Sequence, residues 1–126
     1  MGLLDNPYVI AEAGTCHSAP DRQTRLIRAL EYVRAAAQSG ANAVKFQLFL
    51  APSPRTMFCW HRGDEKNLTR WKNSVLSLDD WLIVKYHADR AKIDLLFSCF
   101  EHEAIGYLHW LKVKASKIAS RAARNF

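Results

Sequence analysis

The sequence has few cysteines, and their spacing follows no familiar pattern. Cys16, Cys59 and Cys99 are odd in number and far apart. A disulfide framework requires paired cysteines, and a zinc site requires closely spaced cysteines or histidines. The cysteines therefore indicate neither kind of site, and we interpret them as reduced thiols.

Long apolar runs are also missing. No stretch of about 18 apolar residues occurs, so no transmembrane helix is predicted. Residues 1–5 contain neither a basic segment nor a long apolar core, and so do not resemble a secretion signal. The expected location is the cytoplasm.

Acidic residues are in the minority. The 126 residues include 12 Asp and Glu against 18 Lys and Arg, which gives a net charge of +6. This excess favours an anionic partner, whether nucleic acid, acidic lipid or a phosphorylated metabolite. Apolar residues make up 49% and charged residues 24%, as in ordinary globular proteins, which excludes wholesale disorder. The length corresponds to one domain or a piece of one.

Strand-like and helix-like segments alternate along the chain. In residues 43–49, Val44, Phe46 and Leu48 fall on one face of a strand, while Lys45 and Gln47 fall on the other. The predicted strands are residues 8–13, 43–49, 93–97 and about 113–119, and the predicted helices are residues 21–39, 78–92 and 101–112. Residues 50–77 are predicted to form a long loop.

This alternation predicts an α/β fold with about four parallel strands and three intervening helices. Asp21 or Ser18 can cap the first helix, and Gly40 follows its end. Ser77 and Asp80 fit a capping pattern at the start of the second. Periodicity alone leaves open whether the strands form a small open sheet or the first half of a closed barrel.

Polar residues occur at the C-terminal end of every predicted strand. They are Glu12, then Lys45 with Gln47, then Ser98, and finally Lys117 with Ser120. In parallel α/β folds these strand ends lie at the same edge, where ligands bind. Two lysines, two hydroxyls and the nearby helix N-termini suit a phosphate or a carboxylate, and Glu12 suits a hydroxyl or a proton transfer.

Four segments resemble, in order, the N-terminal half of the sialic acid synthase family. They are YVIAEAG at residues 8–14 with His17 shortly after, GANAVKFQ at 40–47, SCF at 98–100 and KIAS at 117–120. The resemblance implies the first half of a TIM-type (β/α)₈ barrel. It also implies an enzyme that condenses phosphoenolpyruvate with an N-acetylated amino sugar, such as N-acetylmannosamine or its 6-phosphate.

The resemblance also implies roles for individual residues. By similarity, Glu12 and Gln47 contact the amino sugar, Glu12 is the candidate proton-transfer residue, and His17 matches a family histidine and is a further candidate. Four residues fall on positions that bind phosphoenolpyruvate, namely Lys45, Ser98, Lys117 and Ser120. A divalent metal, Mn or Mg, and a homodimer are expected of the full-length enzymes. Their metal-binding histidines belong to later strands.

The sequence departs from the family pattern at several positions. Cys16 replaces an asparagine, and Ser98-Cys99-Phe100 replaces threonine-proline-phenylalanine. Arg121 and Ala122 stand where a glycine and an acidic residue are expected. A complete barrel takes about 250 residues. We therefore expect residues 1–126 to be a truncated N-terminal part of such a barrel, inactive as an isolated chain.

Two alternatives to the enzyme interpretation remain at this stage. Residues 112–124 contain five basic residues and no acidic one, a pattern that suits a nucleic acid or an anionic surface, although no nucleic-acid-binding motif is present. The five are Lys112, Lys114, Lys117, Arg121 and Arg124. The second alternative is a non-catalytic half-barrel that associates with a copy of itself.

Overall fold

The computed structural model describes residues 6–50, 65–120 and 123 of the chain. This part of the chain forms four strands and four helices. In chain order they are β1 (Ile10–Gly14), α1 (Arg22–Gln38), β2 (Ala43–Leu48), α2 (Glu65–Lys72), α3 (Leu78–Arg90), β3 (Asp94–Cys99), α4 (His102–Leu111) and β4 (Ser116–Ile118). The predicted alternation of strands and helices is confirmed.

The four strands form one parallel sheet in the order β1-β2-β3-β4. Each strand lies beside the next one in the chain, and helices connect them. Doubly wound open sheets reverse their strand order at a switch point, whereas barrels keep the sequential order. The sheet therefore has the strand order of a barrel segment.

One face of the sheet packs against α1 and α3. β2 contributes Val44, Phe46 and Leu48 to this core, and each is at most 1% exposed. Trp81 of α3 is fully buried, with its ring centroid 5.3 Å from that of Phe46 and 4.9 Å from that of Phe97. The apolar residues that alternate along β2 thus pack together against the helices, as the sequence pattern indicates.

The ends of α1 and α3 follow from local chemistry. Asp21 caps α1 by accepting a hydrogen bond of 2.8 Å from the Thr24 N–H, and Gly40 after its end has a φ of 84°. Ser77 and Asp80 form a reciprocal capping box at the start of α3. The predicted cap residues are therefore confirmed, with Asp21 rather than Ser18 at α1.

Several predicted boundaries differ from the structure. α3 ends at Arg90 rather than at residue 92, because Lys92 adopts a left-handed φ of 57° that turns the chain into β3. β4 has three residues rather than seven. Within α1 the buried positions are Ala29, Val33 and Ala36, whereas the apolar side chain of Ile27 is 48% exposed.

The largest difference is α2, which lies inside the segment predicted as a loop. Only Leu68 and Trp71 supply large apolar side chains in this helix, and Leu68 is buried. Two apolar positions in eight residues are too few for a helical period to be recognised. The rest of that segment up to residue 64 lies outside the described residues, apart from Leu50.

A polar cluster at the N-terminal end of the sheet joins the start of β3 to the residues just before β1 and β4. The Tyr8 hydroxyl donates a hydrogen bond of 2.5 Å to Asp94, and Lys114 Nζ lies 2.8 Å from the same carboxylate oxygen. Lys114, one of the basic residues of the C-terminal segment, is therefore neutralised by an acid distant in sequence. Within the described residues, no helix has the length and apolar character needed to cross a membrane.

Removal of the Trp81 indole tests the assignment of the core. We expect Trp81→Ala to lower the free energy of unfolding by about 3–5 kcal/mol, because the indole leaves a cavity among buried aromatic rings. Urea denaturation followed by circular dichroism measures this change. Trp110→Ala is the matched control, since Trp110 is 67% exposed and surface substitutions alter stability by about 0.5 kcal/mol or less. Equal losses in the two variants would contradict the assignment.

Candidate functional site

Polar side chains line the face of the sheet that points away from α1 and α3. Register pairs Glu12 with Lys45 across β1 and β2, and it aligns Gln47, Ser98 and Lys117 across β2, β3 and β4. The strand alternation that buries Phe46 on one side necessarily places Lys45 and Gln47 on the other. The result is a polar surface at the C-terminal ends of the strands.

This surface forms a cavity of about 290 Å³, called here the C-terminal pocket. Its lining residues are Glu12, Lys45, Gln47, Asn67, Arg70, Trp71, Ser98, Phe100, Lys117, Ala119 and Ser120. Six of the seven residues predicted from the sequence are therefore brought together at one place.

An ion pair organises one side of the C-terminal pocket. Lys45 Nζ lies 2.7 Å from Glu12 Oε2, and the Lys45 side chain is only 15% exposed. The other oxygen, Glu12 Oε1, accepts a hydrogen bond of 3.0 Å from the Gly14 N–H. The strand register shifts between Glu12 and Gly14, and Gly14 has a φ of 53°. The irregular end of β1 therefore holds the carboxylate that orients Lys45.

The C-terminal pocket has an excess of positive charge. Among the described residues that line it, Lys45, Arg70 and Lys117 are cationic, and Glu12 is the one carboxylate. These four groups leave a formal charge of +2. A polar cavity with two hydroxyls and this charge suits a small ligand with at least two negative charges.

Helix α2 supplies pocket residues that sequence analysis missed. Asn67, Arg70 and Trp71 stand three and four positions apart, so they share one helix face. Trp71 stacks on Phe49 with ring centroids 5.6 Å apart, and Phe49 stacks on Phe100 at 4.4 Å. This aromatic stack places α2 over the ends of β2 and β3. The spacing of Asn67 and Arg70 becomes recognisable only once the segment is known to be helical.

His17 is the predicted site residue that lies outside the C-terminal pocket. It is fully buried on the helix side of the sheet, with its ring 5.3 Å from that of Phe46 and 5.4 Å from that of Trp81. Its Nε2 lies 2.8 Å from the Ser74 carbonyl oxygen, so this nitrogen donates the hydrogen bond. His17 thus joins the loop after β1 to the segment that follows α2.

Burial lowers the pKa of His17 below its ordinary value. Desolvation of the ring is the main cause, and the positive charge of Arg25 acts in the same direction, while the hydrogen bond to Ser74 opposes them. Nδ1 is buried without a hydrogen-bond partner among the described residues. A proton on Nδ1 would therefore be unsatisfied, which favours the neutral ring.

Cys99, which stands where the resemblance to the family leads us to expect a proline, lies outside the C-terminal pocket. Cys99 is 5% exposed and belongs to the core on the helix side. Burial, with a smaller contribution from Glu101, raises the pKa of its thiol to about 11. Cys99 is therefore a protonated packing residue. Its neighbour Ser98 keeps the hydroxyl in the pocket.

A metal site is not formed by the described residues. Among them, no three His, Cys, Asp or Glu side chains are grouped so that they could hold a metal ion. Of the described residues that line the C-terminal pocket, Glu12 is the one with such a side chain, and it is paired with Lys45.

Comparison with known proteins relates this chain to one family. Residues 32–126 match the sequence profile of the NeuB family. The N,N'-diacetyllegionaminic acid synthase of Legionella pneumophila is 32% identical, and the alignment covers 94% of this chain and 34% of that protein.

Solved structures give the same result. The N-acetylneuraminic acid synthetase of Leptospira borgpetersenii, solved with citrate, superposes with a TM-score of 0.75 at 26% identity. That match covers 95% of this chain and 39% of the other. A spore coat polysaccharide biosynthesis protein of Bacillus subtilis has a TM-score of 0.64 at 26% identity, over 92% of this chain and 30% of its own. The chain spans about a third of the length of these relatives, and it corresponds to part of their TIM barrel.

The buried state of His17 leads to a prediction on pH. The folded-state pKa of His17 is lowered, so as pH falls the unfolded chain takes up the proton before the folded chain does. The contribution of the neutral ring to the free energy of unfolding is therefore fully present above the ordinary histidine pKa of 6.5, and it declines as pH falls below that value. We expect the free energy of unfolding to fall between pH 7 and pH 5, as measured by urea denaturation.

His17→Gln is the matched control for this prediction. Glutamine keeps a donor for Ser74 but does not titrate, so the decline between pH 7 and pH 5 should be smaller in this variant. The other histidines are present in both proteins and cancel in the comparison. Identical pH slopes would show that His17 is not responsible.

Proposed function

Since this chain belongs to the NeuB family, we propose that its C-terminal pocket forms the phosphoenolpyruvate-binding part of a sialic acid synthase-like active site. The complete enzyme would condense phosphoenolpyruvate with an N-acetylated amino sugar, as in sialic acid or related nonulosonate biosynthesis. The relatives include an N,N'-diacetyllegionaminic acid synthase and an N-acetylneuraminic acid synthetase, and this chain aligns with about a third of their length.

One observation carries the proposal: six residues predicted from four separate strands line a single cavity with a formal charge of +2. Phosphoenolpyruvate carries a phosphoryl group and a carboxylate, and so needs cations and hydrogen-bond donors within a few ångströms of each other. Lys45 and Lys117 provide the charge, and Ser98 and Ser120 provide hydroxyl donors. A structural role alone would not require both lysines to face the same cavity as the two serines.

The proposed reaction assigns separate tasks to these residues. C3 of phosphoenolpyruvate forms a bond to the aldehyde carbon of the sugar, and the aldehyde oxygen takes up a proton. Water then adds to C2 and loses one proton, which balances the proton taken up by the aldehyde oxygen. Phosphate leaves with cleavage of the bond between its oxygen and C2, and it takes the remaining proton of the C2 hydroxyl, which becomes the ketone of the product. The cationic side chains hold the phosphoryl group and stabilise the charge that it keeps as it leaves.

Glu12 and Gln47 are proposed to face the amino sugar. Glu12 is 53% exposed, so its carboxylate can both pair with Lys45 and reach a ligand. In this position it can accept a hydrogen bond from a sugar hydroxyl or take the proton from the attacking water. Gln47 lies between Lys45 and the aromatic stack and can bond an amide or hydroxyl of the sugar.

The described residues contain no group of three His, Cys, Asp or Glu side chains that could bind the divalent metal expected of the family. Glu12 is the one carboxylate among the described residues that line the C-terminal pocket, and its partner Lys45 would repel a metal ion. We therefore propose that any such metal is held by residues other than these, and we assign none of the steps above to it.

Calorimetric titration with phosphoenolpyruvate tests the anion site. We expect Lys117→Ala to weaken binding about tenfold or more, because a charge-assisted hydrogen bond contributes about 1.5–3 kcal/mol. Lys45→Ala should weaken binding further, since it removes one cation and also leaves the Glu12 carboxylate unpaired beside the ligand.

Lys114→Ala is the control for these variants. It removes the same charge from the same part of the chain, but Lys114 pairs with Asp94 at the opposite end of the sheet. It should bind phosphoenolpyruvate as the unmodified chain does. If all three lysine variants bind equally well, or the unmodified chain does not bind, the proposal is wrong.

The sugar side of the site is tested separately with Gln47→Leu. Leucine has nearly the same size as glutamine but no polar atoms, so binding of N-acetylmannosamine in the presence of phosphoenolpyruvate should weaken. Binding of phosphoenolpyruvate alone should be unchanged. Calorimetry measures both affinities, and a loss of phosphoenolpyruvate binding instead would contradict the assignment of Gln47.

A further inference from the structure

Arg70 is a cation of the C-terminal pocket that comes from a helix rather than from a strand. It lies on α2, on the same helix face as Asn67 and Trp71, and all three line the cavity with Ser98 and Lys117. Its Nη2 donates a hydrogen bond of 2.5 Å to Asn67 Oδ1, one turn earlier. This bond holds the guanidinium along the helix face that lines the pocket.

The loop between β1 and α1 fixes the position of α2. The Ser18 hydroxyl donates to the Arg70 carbonyl at 3.1 Å, and the Ala19 N–H donates to the Asn73 carbonyl at 2.9 Å. The His17 ring bonds to the Ser74 carbonyl at 2.8 Å. Three successive loop residues thus hold the carbonyls at and just beyond the end of α2, where a helix lacks internal donors.

The aromatic stack fixes the same helix from the other side. Trp71, the residue after Arg70, stacks on Phe49 and packs with Phe100 against the buried Ala119. The backbone of α2 near Arg70 is therefore held by hydrogen bonds to the loop and by ring contacts to the sheet. These contacts keep the helix face that carries Arg70 directed at the pocket.

We infer that Arg70 is a further anion-binding residue of the C-terminal pocket, and that Ser18 positions it through the backbone of α2. The inference rests on the proposed function and extends it to a residue outside the strand ends. Of the three cations that the described residues bring to the pocket, Lys45 is already paired with Glu12. Lys117 and Arg70 are the two whose charge no carboxylate among those described lining residues offsets. A guanidinium has five N–H donors in a planar fork that matches phosphoryl and carboxylate oxygens, more than its bond to Asn67 uses.

The test is titration of the 126-residue chain with phosphoenolpyruvate, inorganic phosphate and pyruvate. Arg70→Gln removes the charge and keeps a good helix former that can still bond Asn67. We expect it to bind phosphoenolpyruvate about tenfold or more weakly. Arg70→Lys keeps the charge but not the fork, and should give an intermediate loss. Whether phosphate or pyruvate shows the larger loss identifies the group that Arg70 contacts, and either result supports the inference.

Two controls separate this inference from a loss of fold and from the proposed function. Arg34→Gln makes the same change at an exposed position on α1 and should leave binding unchanged. Circular dichroism should show that all variants keep the helical content of the unmodified chain. If Arg70→Gln binds within twofold of the unmodified chain while Lys117→Ala binds weakly, the inference about Arg70 is overturned and the proposed function stands. If the unmodified chain binds none of the three anions, both are overturned.

A double-mutant cycle tests the positioning role of Ser18. Ser18→Ala removes the bond to the Arg70 carbonyl and should weaken binding of phosphoenolpyruvate severalfold in the unmodified background. In the Arg70→Gln background it should have little further effect, because the group that it positions is gone. Equal effects in both backgrounds would show that Ser18 acts independently of Arg70.

Discussion

The alternation of side chains along parallel strands is the constraint on which this structure depends. In β2, Val44, Phe46 and Leu48 are buried against the helices, so Lys45 and Gln47 must face the opposite side. A register slip of one residue would place the lysine in the core and the phenylalanine in the pocket. The free energy of burying the core therefore also fixes the geometry of the site, because both sets of residues belong to the same strand.

Core and pocket are also connected through the loop after β1. His17 lies among the buried rings of Phe46 and Trp81, and its other contact is the Ser74 carbonyl just beyond α2. Packing of the core thus helps to determine where α2 lies, and α2 contributes Arg70 and Trp71 to the pocket. This explains how a histidine outside the cavity can belong to the same motif as Glu12: it acts on the support of the site rather than on the ligand.

Sequence patterns predicted those parts of the structure that depend on local chemistry. The strand alternation, the caps at Asp21 and Ser77, and the polar strand ends each follow from residues close together in the chain. α2 could not be predicted in this way, because its position depends on stacking between Trp71 and Phe49 and on bonds from a loop some fifty residues earlier. For the same reason, the assignment of His17 to the core and of Arg70 to the pocket required the fold.

The placement of a carboxylate in a cationic pocket has a physical reason. Three cations in one cavity repel each other, and a flexible lysine would otherwise be free to adopt several rotamers. Glu12 offsets part of that repulsion and holds Lys45 at 2.7 Å, while the Gly14 N–H holds the carboxylate itself. The lysine is thus already oriented in the unliganded chain, which would reduce the conformational entropy lost if the proposed anion binds. The remaining charge of +2 then comes from Lys117 and Arg70, which lie on separate elements and converge only when β4 and α2 are both in place.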